Sequence, residues 1–384
     1  MVGSGGREHA LAWSISRSPH LSELHAAPGN PGIAALARCH PVVAADVPSL
    51  ATELRVDLVV VGPEVPLVAG LADELRSRGL AVFGPSAAAA QIEGSKRFAK
   101  EVMDAAGVPN ARTLATPRAP CVVKADGLAA GKGVWVCHTQ AELDAALAAV
   151  APPFHVEELL EGPELSLFAV AAGEAAVAFP PARDYKRVGD GDAVPNTGGM
   201  GAFSPLPDLG DDEVEEILDT VHRPVLRELA RRGTPFQGLL YAGLIRTAEG
   251  IRVIEFNCRF GDPETQPLLA RLESDLLPVL AGELQPLQVS PRAAVAVVLA
   301  GGDYPARGDS GTPIEGIEAA EATGALVFHA GTALHDGRLV TNGGRILNVV
   351  GRGDTTGEAR TAAYDAVACI DFAGMRFRTD IASG

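Results

Sequence analysis

The chain alternates between two hydrophobic periods, and their order divides it. Ala10 to Ile15 is apolar at helical spacing, and Asp57 to Val61 is an almost unbroken apolar run. A run of that kind is expected of a parallel strand buried on both faces. It ends in Gly62-Pro63-Glu64, and Leu67 to Arg78 then follows with helical spacing. Leu80 to Phe83 is a further short strand, and the Pro- and Gly-rich stretch from Ala26 to Gly32 reads as a loop. Ser95 opens an amphipathic helix that stops near Gly107. Cys121–Lys124 and Val134–Cys137 predict two strands of a long hairpin, and Thr139 with Glu142 predicts a capped helix. Strand-like segments recur at 156–160, 165–172, 238–246 and 252–256, the last interrupted where Val253 and Ile254 stand side by side. Residues 183–201 are dense in Gly, Asp and Asn and predict a long loop. Asp211 to Arg232 predicts a helix with acids early and bases late, kinked or split by Pro224. Ala293–Ala300, Leu326–Phe328, Arg338–Thr341 and Arg345–Val350 predict antiparallel strands, and Thr355 with Glu358 caps a helix running through Ala368.

Composition narrows the class. The 384 residues, 47% hydrophobic and 21% charged, suit a soluble globular protein of two or three domains. A net charge of −16 argues against nonspecific nucleic-acid binding. The five scattered cysteines lack metal-ligand spacing and predict free thiols in a reducing cytosol. No apolar run reaches membrane-spanning length, and the start of the chain lacks a signal pattern.

Glu255 and Asn257 are two apart on a strand and therefore share a face. A carboxylate beside an amide oxygen suits a hard cation such as Mg²⁺, although a solvated strand end reads the same way. Gly261 and Pro263 then end the strand, which places Arg259 and Asp262 on a loop. Gly3-Ser4-Gly5-Gly6 before a helix is an anion-binding turn, or a plain tight turn. Glu8 occupies the third glycine position of the dinucleotide fingerprint, which disfavours a nicotinamide cofactor. Only Met1 and Val2 precede this turn, so either the chain start lies elsewhere or the first strand is a stub. The hairpin tip 125–133 is glycine-rich and carries Lys132, but Gly133 stands where a Walker A loop needs Ser or Thr. The acidic Gly189-to-Asp192 segment lacks the rest of a calcium loop. His329 and His335 read as structural or exposed, and no nucleophile motif is present.

Four strings carry a resemblance. They are G-S-G-G-R-E-H-A-L-A-W at 3–13, V-K-A-D-G-L-A-A-G-K-G-V at 123–134, the 184–201 loop, and I-E-F-N-C-R-F-G-D-P-E-T-Q at 254–266. The last resembles the metal-binding strand of ATP-grasp ligases. Together they resemble the glycinamide ribonucleotide synthetase family over nearly the whole chain. The resemblance implies an α/β protein: an N-terminal open parallel α/β domain (1–90), a central ATP-grasp fold of two α+β subdomains (91–287, with a lid at about 112–172), and a C-terminal mixed α/β domain (288–384). It implies ATP-dependent joining of glycine to 5-phosphoribosylamine in the cytoplasm. Small molecules are then the partners, with no nucleic acid or membrane, and the protein is expected to be a monomer or weak dimer.

Site residues follow from the same resemblance. Lys96 and Lys124 meet the nucleotide phosphates, and Gly131, Lys132 and Gly133 belong to a loop that closes over them. Glu157 and Leu160 offer backbone groups to the adenine edge, and Glu164 takes the ribose hydroxyls. Asp184, Lys186, Asn196 and Thr197 are substrate residues, with Gly3, Gly5 and Gly6 on the ribose-phosphate side. Arg259, Asp262 and Lys124 are catalytic, Arg259 also touching substrate, and Glu255 and Asn257 hold Mg²⁺ or Mn²⁺. Three positions depart from the family string: Arg183 for Gln, Tyr185 for His and Val194 for Gly. Tyr241, Gly243 and Ile245 stand where a further acidic metal ligand is usual. Two alternatives compete: another ATP-grasp ligase or a bicarbonate-using carboxylase, and a non-catalytic nucleotide-binding module.

Overall fold

The computed structural model describes residues 1–128 and 133–383. At the N-terminus, five short parallel strands alternate with helices. β1 (Val2–Gly3) precedes α1 (Gly6–Ser16), and β2 (His25–Pro28) and β3 (Arg38–Cys39) lie on one side of β1. β4 (Leu58–Val60) and β5 (Ala81–Phe83) lie on the other, joined to β1 by a parallel bridge from Val2 to Val61. The apolar run at 57–61 thus becomes a buried parallel strand, as its pattern predicts. Two details differ. The 26–32 stretch is not all loop, because β2 reaches Pro28 and a helix begins at Pro31. The helix predicted over 67–78 is two helices, α2 (Glu64–Val68) and a second at Leu71–Ser77. Gly70 separates them at φ +93°, a conformation that ends a helix and that glycine adopts without strain.

α3 (Ala87–Gly94) and α4 (Lys96–Ala106) lead into the central region. Ser95 accepts the N–H of Phe98 to start α4, and Gly107 ends it in the left-handed conformation. β6 (Cys121–Ala125) pairs with β7 (Val134–Cys137) on one side and β8 (Phe154–Glu158) on the other. Behind this small sheet packs a helix (Gln140–Ala149), which carries the predicted Thr139–Glu142 capping box.

An eight-stranded antiparallel sheet makes up most of the remainder. In chain order its strands are β9 (Glu164–Ala172), β10 (Ala175–Asp184), β11 (Gly201–Ser204), β12 (Gln237–Thr247), β13 (Gly250–Asn257), β14 (Ala293–Ala300), β15 (Leu326–His329) and β16 (Arg345–Gly353). Their order across the sheet is 13-12-9-10-11-14-16-15. Every residue of β14 is buried, because α5 (Thr265–Arg271) and α6 (Thr356–Val367) both pack on it. Such a strand reads as continuous Ala and Val instead of alternating. The Val253-Ile254 pair marks a real irregularity: the register between β12 and β13 shifts between Gly243 and Leu244.

The predicted 183–201 loop is partly a β-ribbon. β10 runs to Asp184, and residues 187–189 pair with 193–196. Arg378, only 1% exposed, holds this ribbon through the Arg187 carbonyl and the Asp192 carboxylate. Pro224 splits the 211–232 helix as predicted, with a π-helical turn at Leu218–His222 between the halves. None of the five cysteines is in a disulfide. Among the described residues, no helix is long and apolar enough to cross a membrane.

That π turn buries His222 completely, with its Nε2 at 3.3 Å from the Leu167 carbonyl and Nδ1 without a partner. Burial lowers its pKa to about 4. The unfolded chain therefore binds the proton more readily. Stability is complete above the unfolded histidine value of about 6.5 and is lost as pH falls toward about 4. At pH 5 the loss from this group is about 2 kcal/mol. His9 and His329, lowered by burial to about 3 and about 4, add to it. Thermal melts at pH 7 and pH 5 test this: the drop in Tm should be smaller in His222→Gln than in the parent.

Candidate active site

Three segments of the chain converge on one cleft: β13, the small β6–β8 sheet, and the loop after β10. Its inner cavity of 310 Å³ is lined by Lys96, Lys124, Glu255, Asn257, Arg259 and Asp262, among others. A neighbouring cavity of 500 Å³ shares Lys124, Glu157, Asp184, Lys186 and Glu255, and extends to Leu160, Glu164 and Asn196. The larger cavity of 670 Å³ beside β1 is remote from these groups and walled mainly by apolar side chains such as Leu50, Leu58 and Leu277.

Glu255 and Asn257 face the inner cavity together, as their spacing predicts. Opposite them on β12 stand Gly243 and Tyr241. Gly243 leaves room for the carboxylate: a Cβ there would lie 3.2 Å from Glu255 Cγ. Tyr241 offers no ligand, since its hydroxyl donates to Glu264 at 2.7 Å and lies 2.9 Å from Ser166 Oγ. Among the described residues, no three His, Cys, Asp or Glu side chains form a metal cluster. One carboxylate and one amide oxygen suit a hard cation whose other positions are filled by phosphate oxygens and water.

Lys124, 6% exposed, donates to the Ile254 carbonyl at 3.0 Å and pairs with Glu157 at 2.5 Å. Glu157 also lies 3.1 Å from His155 Nε2. Burial alone would raise the Glu157 carboxyl, but His155 and Lys124 hold it down to about 2. The Glu157 backbone is enclosed between β6 and a bridge to Thr113, so the side chain, not the main chain, addresses the cleft. Lys96 Nζ reaches the Gly127 carbonyl at 3.0 Å, and burial lowers its pKa. Gly133 lines the cavity, whereas Gly131 and Lys132 lie outside the described residues.

Lys186 joins Glu164 at 2.6 Å to Asp184 at 3.1 Å. Its ammonium stays charged despite burial, because Asp184 and Glu164 outweigh the desolvation. Thr197 holds its loop shut, its N–H and hydroxyl both donating to the Lys186 carbonyl. Asp262 accepts from Arg345 at 2.9 Å and from Gln266 at 2.8 Å. Arg259 is shared among Glu64, Glu93 and Asn257.

The glycine turn is held by its own helix. The Gly5 N–H is not free: it donates to the Glu8 carboxylate at 2.6 Å, which satisfies a donor at the start of α1. Gly3, Gly5 and Gly6 do not line the inner cavity, whereas Arg7 does. Sequence reasoning also passed over Glu64, Glu93, His155, Glu264 and Arg345, all placed at the cleft by the fold. Glu64 had a signal, since it follows a buried strand at the sheet's carboxyl end, where ligands bind. Arg345 had none, because it arrives from a strand 83 residues beyond Asp262.

Family models match in the same order. The phosphoribosylglycinamide synthetase N domain matches residues 1–93, the ATP-grasp (A) domain 94–265, and the C domain 294–384. The chain belongs to the phosphoribosylglycinamide synthetase family. It is 50% identical to the phosphoribosylamine–glycine ligase of Streptomyces coelicolor, over 100% of this chain and 98% of that one. The ligase of Leifsonia xyli is also 50% identical, over 100% and 99%. A crystal structure of phosphoribosylamine–glycine ligase from Thermotoga maritima superposes with a TM-score of 0.85 at 34% identity, covering 99% of this chain and 98% of that one. The biotin carboxylase domain of Hydrogenobacter thermophilus 2-oxoglutarate carboxylase gives 0.71 at 15% identity, over 98% and 90%, a likeness of fold alone. Membership of this family carries with it the use of ATP with a divalent metal.

Proposed function

We infer that this protein is a carbon–nitrogen ligase of purine biosynthesis. It joins glycine to 5-phosphoribosylamine, giving glycinamide ribonucleotide, ADP and phosphate. What carries this reading is the Glu255/Asn257 face set across one cleft from Lys96 and Lys124, in a chain matched by all three family domains.

A carboxylate is a poor electrophile. Its oxygen attacks the γ-phosphorus of ATP, ADP leaves, and glycyl phosphate forms. The amine then attacks the acyl carbon, phosphate departs with the bonding electrons, and the new ammonium loses a proton. No protein nucleophile is needed. Lys96 and Lys124 neutralise the nucleotide phosphates, and Arg259 and Asp262 border the acyl phosphate. Glu255 and Asn257 hold the cation, which supplies further neutralisation when bound; we assign it as Mg²⁺, with Mn²⁺ able to substitute. Leu160 and Glu164 address adenine and ribose, and Gly131, Lys132 and Gly133 belong to the phosphate-side loop. Asp184, Lys186, Asn196 and Thr197 form the substrate wall, with Gly3, Gly5 and Gly6 beyond it. The division into 1–90, 91–287 and 288–384, a cytoplasmic location and a monomer or weak dimer complete the reading.

The test is ADP release with each substrate omitted in turn. Full turnover should need ATP, glycine and phosphoribosylamine together. ADP release indifferent to glycine would overturn the assignment.

A further inference from the structure

Arg259 sits where the N-terminal sheet meets the metal-side strand. Its guanidinium donates to Glu64 Oε2 at 3.1 Å, Glu93 Oε1 at 3.0 Å, Asn257 Oδ1 at 3.2 Å and the Phe260 carbonyl at 3.2 Å. The two carboxylates differ in how they are held. Glu93 is 8% exposed at its side chain and also accepts the Cys258 N–H at 2.8 Å, so it is fixed to the same loop. Glu64 opens α2 at the carboxyl end of β4, lines the inner cavity and keeps 24% of its side chain exposed. Arg259 is the only hydrogen-bond partner of its carboxylate among the described residues. Burial would raise this carboxyl, yet Arg259 and Arg7 keep it below the ordinary range, so it remains an anion.

We propose that Glu64 is a positioning residue that ties occupation of the amine-substrate side of the cleft to the availability of Arg259. The proposal rests on the ligase reading above. With the amine side empty, Arg259 spends its Nε, Nη1 and Nη2 groups on Glu64, Phe260, Glu93 and Asn257. A guanidinium so engaged is aimed at protein acceptors instead of at a phosphoryl group. A polyhydroxylated amine entering from the N-terminal sheet meets Glu64 first and takes over its carboxylate. Arg259 is then balanced by Glu93 alone and can turn its freed N–H toward the acyl phosphate. The arrangement engages the acyl-transfer machinery when the acceptor is present. Without the acceptor, water would take the amine's place at the acyl carbon and return glycine and phosphate, wasting ATP.

The experiment measures glycine-dependent ADP release, with and without phosphoribosylamine, in the parent protein and in Glu64→Gln, Glu64→Asp and Glu93→Gln. Glu64→Gln keeps the shape and loses the charge; Glu64→Asp keeps the charge and falls short of Arg259. Both should raise amine-independent release about fivefold or more, a coupling of ordinary size. In Glu64→Gln the KM for phosphoribosylamine should rise roughly tenfold, the loss of one charged hydrogen bond, with the KM for ATP unchanged. Glu93→Gln removes the same charge from the carboxylate that the Cys258 N–H fixes to the loop, and should shift the KM for phosphoribosylamine much less than Glu64→Gln does. Thermal melts identify any variant that has unfolded. If the folded Glu64 variants show parental amine-independent release, or shift both KM values in parallel, Glu64 is only an interdomain tie and the proposal is wrong. If the parent protein releases no ADP in response to glycine, it is the ligase reading that fails.

Discussion

Glu255→Ala lowers glycine- and phosphoribosylamine-dependent turnover by on the order of a thousandfold or more, the scale seen when charge stabilisation at a transferring group is removed. The reason lies in what surrounds it. Asn257 gives an amide oxygen already shared with Arg259, and the facing residues on β12 are Tyr241 and Gly243. No neighbouring carboxylate on that strand pair can take over the charge. The variant should fold normally, because its strand is held by β12 along its length and does not depend on the Glu255 side chain. Steady-state rates over a Mg²⁺ titration check this. Near-parental turnover at saturating metal would remove the strand from the mechanism.

Lys124→Met should damage both activity and stability, for separable reasons. The side chain is the cationic partner of Glu157, which is 4% exposed. Breaking this buried pair from one side leaves the carboxylate to His155 at 3.1 Å and the more distant Lys100 at 3.9 Å, at a cost of about 2 kcal/mol. Loss of a phosphate-facing cation should cut kcat/KM for ATP by on the order of a hundredfold. The double variant Lys124→Met/Glu157→Gln removes the stranded charge. It should recover most of the lost stability in urea melts and none of the lost rate. Recovery of both would mean that Lys124 serves only to hold Glu157.

The shared face of Glu255 and Asn257 was legible because it depends on a local rule, two residues apart on one strand. The interruption at Val253-Ile254 was legible for the same reason, and it became a register shift. Period-two reasoning cannot say which of two adjacent glutamates enters a cleft. Glu157 turns inward to Lys124, whereas Glu158 turns outward to Arg112. In the glycine turn, Glu8 speaks against a dinucleotide site, but nothing in the sequence says where its carboxylate goes. It folds back onto Gly5. The 183–201 segment looked structureless because its organiser, Arg378, is 186 residues from Asp192. Glu93 and Arg345 reach the cleft by the same kind of distant convergence, which no window along the chain contains.

The eight-stranded sheet has a consequence for how this protein could be divided or rebuilt. β11 belongs to the central segment and β14 to the closing one, and they pair from Gly201–Val297 to Ser204–Ala294. A cut near residue 288 would therefore not separate a pair of finished bodies. It would bare a strand edge on each piece, one of them the wholly apolar β14. Exposed edges of that kind recruit other strands and aggregate. Complementation from two co-expressed halves is a more promising arrangement than either half alone, since each carries the template on which the other's edge strand closes.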